Sequence, residues 1–545
     1  MYSGSKGMSK APPPVFALVA AVIAILALAA LAGPAWAETF TVNSTDDAVD
    51  VNPGDGTCAT ADDDCTLRAA VMETNALVGP DTITVPGGTY TLTITGDESD
   101  IFGGNDSIGD LDIFEDLTIN GAGARSMTVR GGGEFNDRIF DIPGAISPSD
   151  PPEPLPSDAV VEISGLTITR GDKSTIGGGI RNVGTLTLKK SAVTNNTAGL
   201  GGAGIRNDFV FTLVQSTVSG NTVGSSGPAP AGVDPSLGGG GGLFNNDEAT
   251  LVNSTISGNT SGTFGGGITN FGGGASLDVR NVTLNGNSAP TGANIANTDA
   301  RIGPAGGPPP VGPASFENTI VSNPRGGGDN CEGPITSDGG NLEFPGNSCD
   351  FEVRKDPRLG ALANNGGPTN THALRAGSPA IDAAKNSCPP PATDQRGVGR
   401  PKNGDGKGAA RCDIGAYERK APDNQPNPNP NPNPDPDGRP ACTITGTNGD
   451  DVLTGTDGRD VICARGGDDT VQSLDGNDVV FGGSGNDSIN GGDGDDRLFG
   501  GDGRDSINGG DGRDVIKGGR GNDAINGGPG KDQVDAGPGE NSATR

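Results

Sequence analysis

Apolar residues recur along this chain at two intervals, one of about 25 residues and one of nine. In residues 160–323, the phrase Gly-(Ile/Leu)-x-Asn returns at spacings of 25, 38, 25 and 27 residues, and a second phrase, an aliphatic residue with asparagine three positions later, keeps step with it. The two columns are Ile180/Asn182, Ile205/Asn207, Leu243/Asn245, Ile268/Asn270 and Ile295/Asn297, and Val193/Asn196, Val218/Asn221, Ile256/Asn259, Leu284/Asn287 and Ile320/Asn323. The pattern predicts an all-β, right-handed parallel β-helix over residues 81–355, with aliphatic side chains inside and asparagines bonded between turns.

One spacing in this series is longer than the others. The interval of 38 residues is one coil plus an insertion, and the Pro- and Ser-rich residues 224–237 are the predicted protruding loop. Inserted loops on one side of a solenoid are common binding surfaces.

The residues before the β-helix predict a short helix. Residues 65–75 have the apolar spacing of an amphipathic helix, and Thr66 is placed to cap its first turn. This stretch resembles the CSLREA-type segment that precedes bacterial surface β-helices, although Ala69 stands where that family has glutamate. We therefore expect residues 38–80 to form an N-terminal cap that shields the first open coil.

The nine-residue repeat runs from Gly446 to Thr544 and reads GGxGxDxUx, in which U is apolar. The sixth position is aspartate in ten consecutive units: Asp451, Asp460, Asp469, Asp478, Asp487, Asp496, Asp505, Asp514, Asp523 and Asp532. The fourth position in the same units is glycine: Gly449, Gly458, Gly467, Gly476, Gly485, Gly494, Gly503, Gly512, Gly521 and Gly530. The eighth position is mostly Ile, Leu or Val. Such a short unit cannot bury its own apolar face, so the period predicts many small turns stacked on a thin aliphatic core.

A thin core cannot offset the ordering entropy of so many glycines, so a second source of stability is needed. The turns supply carboxylate and carbonyl oxygens, which are the ligands that Ca²⁺ prefers. The repeat resembles the RTX, or haemolysin-type, calcium-binding repeat. The resemblance implies that residues 441–545 form a parallel β-roll, with Ca²⁺ held by the ten sixth-position aspartates and by backbone carbonyls, for which the fourth-position glycines are the candidates. Third-position acids are additional candidate ligands: Asp457, Asp475, Asp493, Asp502 and Asp511.

The net charge of this segment bears on its state without metal. From Cys442 onward there are 20 acidic and 9 basic residues, a net charge of −11. Self-repulsion and low hydrophobicity favour acidic, glycine-rich disorder when calcium is absent, and bound Ca²⁺ removes the repulsion.

Residues 356–420 follow neither period. They contain the phrases Asn365-Gly366-Gly367-Pro368-Thr369, Gly377-Ser378-Pro379-Ala380-Ile381-Asp382 and Cys412-Asp413-Ile414-Gly415-Ala416-Tyr417-Glu418. This segment resembles the choice-of-anchor Q segment at the end of bacterial surface β-helices, and we interpret it as a C-terminal cap. The alternating Asn and Pro of residues 427–434 favour polyproline II, so residues 421–440 are predicted to be a linker whose stiff part, residues 424–440, keeps the β-roll roughly 50 Å away and unpacked.

Composition and charge limit which partners the chain can bind and in which compartment it is expected. The 545 residues carry a net charge of −31, which argues against nucleic acid or an anionic membrane and suits cations. Residues 1–37 have the form of a signal peptide, with an apolar run and a small-x-small site at Ala35-Trp36-Ala37; an uncleaved anchor is the alternative. Cleavage would leave no membrane span. The eight cysteines form neighbouring couples that predict local disulfides in an extracellular, secreted or surface protein: Cys58/Cys65, Cys331/Cys349, Cys388/Cys412 and Cys442/Cys463.

No residue pattern indicates catalysis. Arg181 and Arg206 occupy equivalent positions, but the column continues as Phe244, Thr269 and Ala296, and the sole histidine, His372, lies in the cap phrase. We therefore expect a calcium-binding, non-enzymatic adhesion or matrix protein whose C-terminal repeats fold on extracellular calcium, with surface polysaccharide as a candidate partner. The alternative is a carbohydrate-active β-helix enzyme, a polysaccharide lyase or hydrolase, with a calcium-stabilised tail.

Overall fold

A computed structural model describes residues 37–96, 107–146, 154–155, 159–224, 238–298, 311–385, 388–407, 409–420, 442–456 and 459–544. The predicted signal peptide up to residue 36, the linker 421–440, almost all of the inserted loop, Asp457 and Gly458 lie outside the described residues.

Residues 39–344 wind into a solenoid of parallel sheets, named S1 to S4 here. S1 contains Thr39–Thr41, Asp81–Val85, Leu117–Gly121, Val160–Ser164, Thr185–Lys189, Val210–Val214, Glu248–Val252, Ser276–Arg280, Ala314–Glu317 and Thr336–Gly339. S2 contains Gly88–Leu92, Met127–Gly131, Thr167–Thr169, Ala192–Thr194, Thr217–Ser219, Thr255–Ser257, Thr283–Asn285, Ile320–Ser322 and Leu342–Phe344. S3 contains Leu111–Asp112, Phe140–Ile142, Ile180–Asn182, Ile205–Asn207, Leu243–Asn245, Ile268–Phe271, Ile295–Thr298 and Cys331–Glu332. S4 contains Asp172–Lys173, Thr197–Ala198, Thr222–Val223 and Thr260–Ser261. A separate antiparallel pair joins Ala145–Ile146 to Pro154–Leu155.

The register of these sheets confirms the predicted parallel β-helix. Ile180 pairs with Ile205 and Val193 pairs with Val218, so each coil returns its aliphatic residue to the same place. The asparagine columns form ladders: the Asn182 side-chain amide donates to Asn207 Oδ1 over 2.7 Å, and that of Asn221 donates to Asn259 Oδ1 over 2.9 Å. Buried amides that bond from turn to turn satisfy polar groups which the aliphatic core could not.

The last rung of the second column differs from the prediction. Leu284 pairs with Val321 rather than with Ile320, and the Asn287 amide donates to Asn294 Oδ1 over 2.7 Å rather than to Asn323. Ile320 instead faces residues 356–420 and packs with Ile414 and Tyr417. Successive side chains of this strand point to opposite faces. Residues 356–420 cover Ile320 on the outer face, so Val321 is the residue that points into the bore.

The predicted N-terminal helix is Leu67–Ala76. Thr66 caps it, since Thr66 Oγ1 accepts a hydrogen bond from the Ala69 backbone N–H over 3.1 Å. Leu67 and Val71 pack into the solenoid core, and the guanidinium of Arg68 is buried against Asp47, with Nε 2.7 Å from Oδ1. The helix thus covers apolar residues of the first coils, as expected of a cap.

Residues 356–420, called the flanking segment below, do not close the end of the solenoid as a cap would. They lie along the outer face of S2, where Gln395 Oε1 accepts from Thr255 Oγ1 over 2.7 Å and the Asn370 carbonyl accepts from Thr217 Oγ1 over 2.6 Å. The segment contains one antiparallel pair, Leu359–Ala363 with Thr371–Leu374. Short hydroxyl and amide side chains on S2 supply the hydrogen-bond partners that hold the flanking segment against this face.

Residues 442–544, called the roll below, form two parallel sheets around one aliphatic column. Sheet R1 contains Ile444–Thr445, Val461–Gly466, Val479–Ser484, Arg497–Asp502, Val515–Arg520 and Gln533–Asp535. Sheet R2 contains Val452–Thr454, Thr470–Gln472, Ser488–Asp493, Ser506–Asp511, Ala524–Asn526 and Ser542–Thr544. Eighth-position side chains from both sheets alternate in the core, from Leu453 to Val534. Two nonapeptides make one coil, because strand partners are 18 residues apart.

The four predicted disulfides are all present: Cys58–Cys65, Cys331–Cys349, Cys388–Cys412 and Cys442–Cys463. Among the described residues, no helix is long and apolar enough to cross a bilayer. The expectation that the roll stands apart from the rest is wrong, because the roll contacts the flanking segment through Arg419 and Asp493.

Candidate metal centre

The sixth-position aspartates form two columns, one at each edge of the roll. Each of these aspartates sits in a turn and is followed at once by a strand; Asp478 precedes the R1 strand Val479–Ser484, and Asp487 precedes the R2 strand Ser488–Asp493. Because nonapeptides alternate between the sheets, consecutive aspartates fall on opposite edges, and aspartates 18 residues apart stack.

The two oxygens of each stacked carboxylate have different surroundings. The Asp487 backbone N–H donates to Asp505 Oδ1 over 2.9 Å, and the Asp478 N–H donates to Asp496 Oδ1 over 2.8 Å. The other oxygen, Oδ2, is buried and has no hydrogen-bond partner among the described residues in eight aspartates: Asp469, Asp478, Asp487, Asp496, Asp505, Asp514, Asp523 and Asp532. Anionic oxygens buried without a partner are costly, so these columns require a cation.

Electrostatics lead to the same requirement. Burial raises the pKa of Asp478 to about 7, of Asp496 to about 9, and of Asp505 and Asp514 to about 6. Repulsion within a column adds to this: the Asp460 carboxylate raises the pKa of Asp478, and the Asp487 carboxylate raises that of Asp505. A divalent cation beside these oxygens reverses the effect, since it favours the ionised form.

Fourth-position glycines bring carbonyl oxygens to the same edges. Gly485 has φ +128°, and a Cβ there would overlap the carbonyl oxygen of Gly467 in the preceding coil. Gly503, with φ +141°, stands in the same relation to the Gly485 carbonyl. The turn therefore excludes any side chain at this position and stacks carbonyl oxygens along the column. Carboxylate and carbonyl oxygens together fit Ca²⁺, which takes six to eight oxygen ligands.

The first two aspartates of the series differ from the other eight. Asp451 Oδ2 accepts from Thr447 N and Oγ1, over 2.6 and 2.9 Å, and Asp460 Oδ2 accepts from Thr456 in the same way. The cause is visible in the sequence, because threonine replaces the second-position glycine in these two units.

Fifth-position residues also support the turns, and the sequence analysis missed them. The Asn486 N–H donates to Asp468 Oδ1 over 2.7 Å, and the Arg504 N–H donates to Asn486 Oδ1 over 2.9 Å. The sequence signal for this role is the frequent occurrence of Asp and Asn at the fifth position of the repeat. The third-position acids lie elsewhere: Asp502 is exposed near Arg520, while Asp475 and Asp493 contact the flanking segment.

Three stretches of the roll, residues 443–471, 473–507 and 508–543, match the profile of the RTX calcium-binding nonapeptide repeat. The C-terminal domain is therefore an RTX calcium-binding roll. Its repeats bind calcium, as the sequence predicted, and the eight buried Oδ2 atoms of this RTX roll are consistent with that ligand.

Other comparisons concern the whole chain. A search of curated proteins found no match to the sequence. Among solved structures, the chain is similar to the pectate lyase Pel9A at 14% identity and a TM-score of 0.28, over 70% of this chain and 96% of that one. It is also similar to the A-modules of two Azotobacter vinelandii mannuronan C-5 epimerases. For AlgE4 the identity is 15% and the TM-score 0.23, over 56% of this chain and 91% of that one. For AlgE6 the identity is 11% and the TM-score 0.22, over 93% and 99%.

In the solenoid, the arginines singled out from the sequence are held in ion pairs. Arg181 Nη1 lies 3.0 Å from Asp141 Oδ2, and Arg206 Nη2 lies 2.7 Å from Asp208 Oδ1. Both arginines are buried, and the Arg206 guanidinium lies 4.1 Å from the centre of the Phe244 ring.

A cluster of three aspartates precedes these arginines on S3, and the sequence analysis missed it. Asp112 and Asp141 are register partners, and one oxygen from each of Asp110, Asp112 and Asp141 lies within 4.8 Å of the others. Arg138 neutralises part of the cluster, with Nη1 2.8 Å from Asp141 Oδ2. The strands here are too short and too far apart in sequence to show a period.

His372 links the flanking segment to S2. Its Nδ1 donates to the Gly360 carbonyl over 2.9 Å, so Nε2 accepts from Ser257 Oγ over 2.9 Å and from the Asn285 amide over 3.3 Å. Burial lowers the pKa of this imidazole. These contacts give His372 a structural role, in which it holds the flanking segment against S2.

Proposed function

We propose that this is a secreted or cell-surface β-solenoid protein with a non-enzymatic adhesion or matrix role, whose RTX roll folds on extracellular calcium. The observation that carries the proposal is the set of eight buried Oδ2 atoms that lack a hydrogen-bond partner among the described residues. Without a cation they destabilise the RTX roll; with millimolar Ca²⁺ the same oxygens become ligands. Folding is thereby coupled to a compartment rich in calcium.

Three further observations support a location outside the cell. Four disulfides persist only in an oxidising compartment. Residues 1–37 have the form of a cleavable signal peptide, and their removal leaves no membrane span. Residues 38–80 and 356–420 resemble CSLREA and choice-of-anchor Q segments, which occur in bacterial surface β-helices. Surface or extracellular polysaccharide is the proposed partner of the solenoid.

Hydrogen–deuterium exchange of the full-length chain, with calcium and with chelator, tests the proposal. We expect residues 442–544 to exchange freely in chelator and to become protected in millimolar Ca²⁺, while the strands of S1 to S3 stay protected throughout. A roll equally protected in both conditions would contradict calcium-driven folding. Sedimentation of the chain with insoluble polysaccharide, with and without calcium, tests the adhesion role.

A second candidate function rests on the Asp110–Asp112–Asp141 cluster. Buried carboxylates beside Arg138 and Arg181 form a group of charges on one solenoid face, the kind of arrangement a carbohydrate-active enzyme uses. Ultraviolet-absorbing or reducing products from pectin or alginate, abolished by Asp141→Asn, would favour this candidate over the adhesion role. Asp208→Asn, which removes the carboxylate paired with Arg206 one coil away, is the matched control.

A further inference from the structure

Third-position acids on the R2 side of the roll form a column of their own. Asp475, Asp493 and Asp511 are register partners in successive coils, so they stand about 4.8 Å apart along the RTX roll. This column faces the flanking segment, whereas the sixth-position columns run along the turns before the strands.

Each acid of this column faces one side chain of the flanking segment. The Tyr417 hydroxyl donates to Asp475 Oδ2 over 3.3 Å, Arg419 Nη1 donates to Asp493 Oδ2 over 3.0 Å, and Arg375 Nη1 lies 3.9 Å from Asp511 Oδ1. Of the two ion pairs the central one is the more enclosed, with side-chain exposures of 4% for Arg419 and 17% for Asp493, against 47% for Arg375 in the other pair. Breaking a desolvated charge pair is costly because it leaves an uncompensated buried charge, so this pair favours the register in which Asp493 meets Arg419.

The flanking segment holds its side of this contact in place independently of the roll. Arg419 Nη1 also donates to the Leu374 carbonyl over 2.6 Å, and the Arg419 N–H donates to Asp413 Oδ2 over 2.6 Å. The Tyr417 ring lies under the Arg396 guanidinium, 3.6 Å from its centre. The receiving surface is therefore preorganised.

The acids, by contrast, are aligned only when the roll is folded. In an extended chain, the 18 residues between successive acids span about 60 Å. We propose that the flanking segment is a docking site for the calcium-loaded RTX roll, and that Asp475, Asp493 and Asp511 are docking residues rather than calcium ligands. Bound calcium thus determines whether the roll is docked on the flanking segment, which makes the chain compact, or is separate from it, which makes the chain extended. This inference rests on the proposed calcium-driven folding.

Small-angle X-ray scattering of the full-length chain, paired with calorimetric calcium stoichiometry, tests the docking. Without docking, the 20-residue linker 421–440 is long enough for a separation of up to about 60 Å, at about 3.1 Å per residue. We expect the wild-type chain to be compact in millimolar Ca²⁺ and extended in chelator. Replacing Asp475, Asp493 and Asp511 together by Asn should leave the calcium stoichiometry unchanged but give an extended chain even with calcium.

Two further variants make the test independent of misfolding. Asp502→Asn removes an exposed third-position acid on R1 and should leave the chain compact. Asp493→Arg should open the chain, and adding Arg419→Glu should close it again. The proposal is overturned if the triple variant loses bound calcium, if it stays compact, or if the charge swap fails to restore compactness. If the wild-type chain is compact in chelator and its roll is protected from hydrogen exchange there, docking does not depend on calcium and this part of the proposal is overturned.

Discussion

Replacing Asp505 by Asn should change the stability of the RTX roll in opposite directions with and without calcium. Asn keeps the Oδ1 acceptor that receives the Asp487 N–H over 2.9 Å, and it removes the negative charge from the buried Oδ2. The substitution is isosteric, and its new amide NH2 has acceptors within reach, since Asn541 at the sixth position of the last unit donates to the Ala536 and Gly537 carbonyls over 3.1 and 2.9 Å.

Without calcium the variant should be the more stable protein at neutral pH. Burial raises the pKa of Asp505 from 3.8 to about 6, so the folded state disfavours ionisation. The stabilisation due to the protonated form is complete below pH 3.8 and is lost as the pH rises through about 6. At pH 7 the ionised carboxylate costs on the order of 1–3 kcal/mol, allowing for solvent screening, and Asn removes that cost.

With calcium the sign reverses, because Asn supplies one anionic ligand fewer. Losing even an outer-shell partner of a metal costs roughly 10–100-fold in affinity, so a direct ligand should cost about 100-fold or more, about 2.8 kcal/mol. A site with an affinity typical of extracellular modules would then stay empty in millimolar calcium. Calorimetry should show a reduced calcium stoichiometry for Asp505→Asn, and Asp514→Asn should behave alike.

The control is Asp502→Asn, since Asp502 lies three residues away but is exposed, with 65% of its side chain accessible. In chelator, a titration with the stabilising osmolyte TMAO compares the two proteins, because the more stable roll gains exchange protection in residues 442–544 at a lower osmolyte concentration; with calcium, exchange gives the stability directly. If Asp505→Asn is less stable than wild type in chelator, or if its calcium stoichiometry is unchanged, the assignment of the buried carboxylates as calcium ligands is wrong.

Three further predictions concern the RTX roll, the solenoid and the flanking segment in turn. Calcium binding by the RTX roll should weaken as the pH falls toward 3.8, the ordinary pKa of Asp478 in the unfolded, calcium-free roll, because protons then occupy the ligands; a calcium affinity independent of pH between about 3 and 6 would contradict this. Asn221→Ala should lower the solenoid's unfolding free energy by about 2–4 kcal/mol, since it breaks a buried ladder, whereas Asn323→Ala, at an exposed position with φ +51°, should cost only about 1 kcal/mol in thermal melts. Because burial lowers the pKa of His372, the stability it contributes is full above pH 6.5 and is lost on acidification, so exchange protection of residues 356–420 should fall more steeply with acidification in the wild type than in His372→Gln, in which Asp413 and Glu418 still titrate.

Much of the metal centre could be predicted from the sequence because its ligands repeat with the backbone. A glycine whose turn excludes a side chain and an aspartate at a fixed offset recur wherever the coil recurs, so their spacing is visible without coordinates. The chemistry of each oxygen was not visible. Only the structure shows that Oδ1 is taken by the next coil, that Oδ2 is left for a cation, and that Thr447 and Thr456 satisfy the first two carboxylates instead.

Other features depend on contacts between distant parts of the chain. The Asp110–Asp112–Asp141 cluster forms because a strand at Leu111–Asp112 pairs with one at Phe140–Ile142, across an interval that matches no repeat. The last rung of the solenoid shifts from Ile320 to Val321 because the flanking segment covers Ile320. A local pattern cannot indicate which side of an alternating strand will be covered by something else.

The sequence by itself determined the two solenoids of this protein, since stacked coils are specified by residues that recur with the coil. It also determined the calcium chemistry and the four disulfides, which join near neighbours in the chain. The tertiary structure alone decided that residues 356–420 lie along S2 rather than over an end, and that Asp475, Asp493 and Asp511 face Tyr417, Arg419 and Arg375. Those contacts join aperiodic surfaces, and their pairing exists only once each surface has folded.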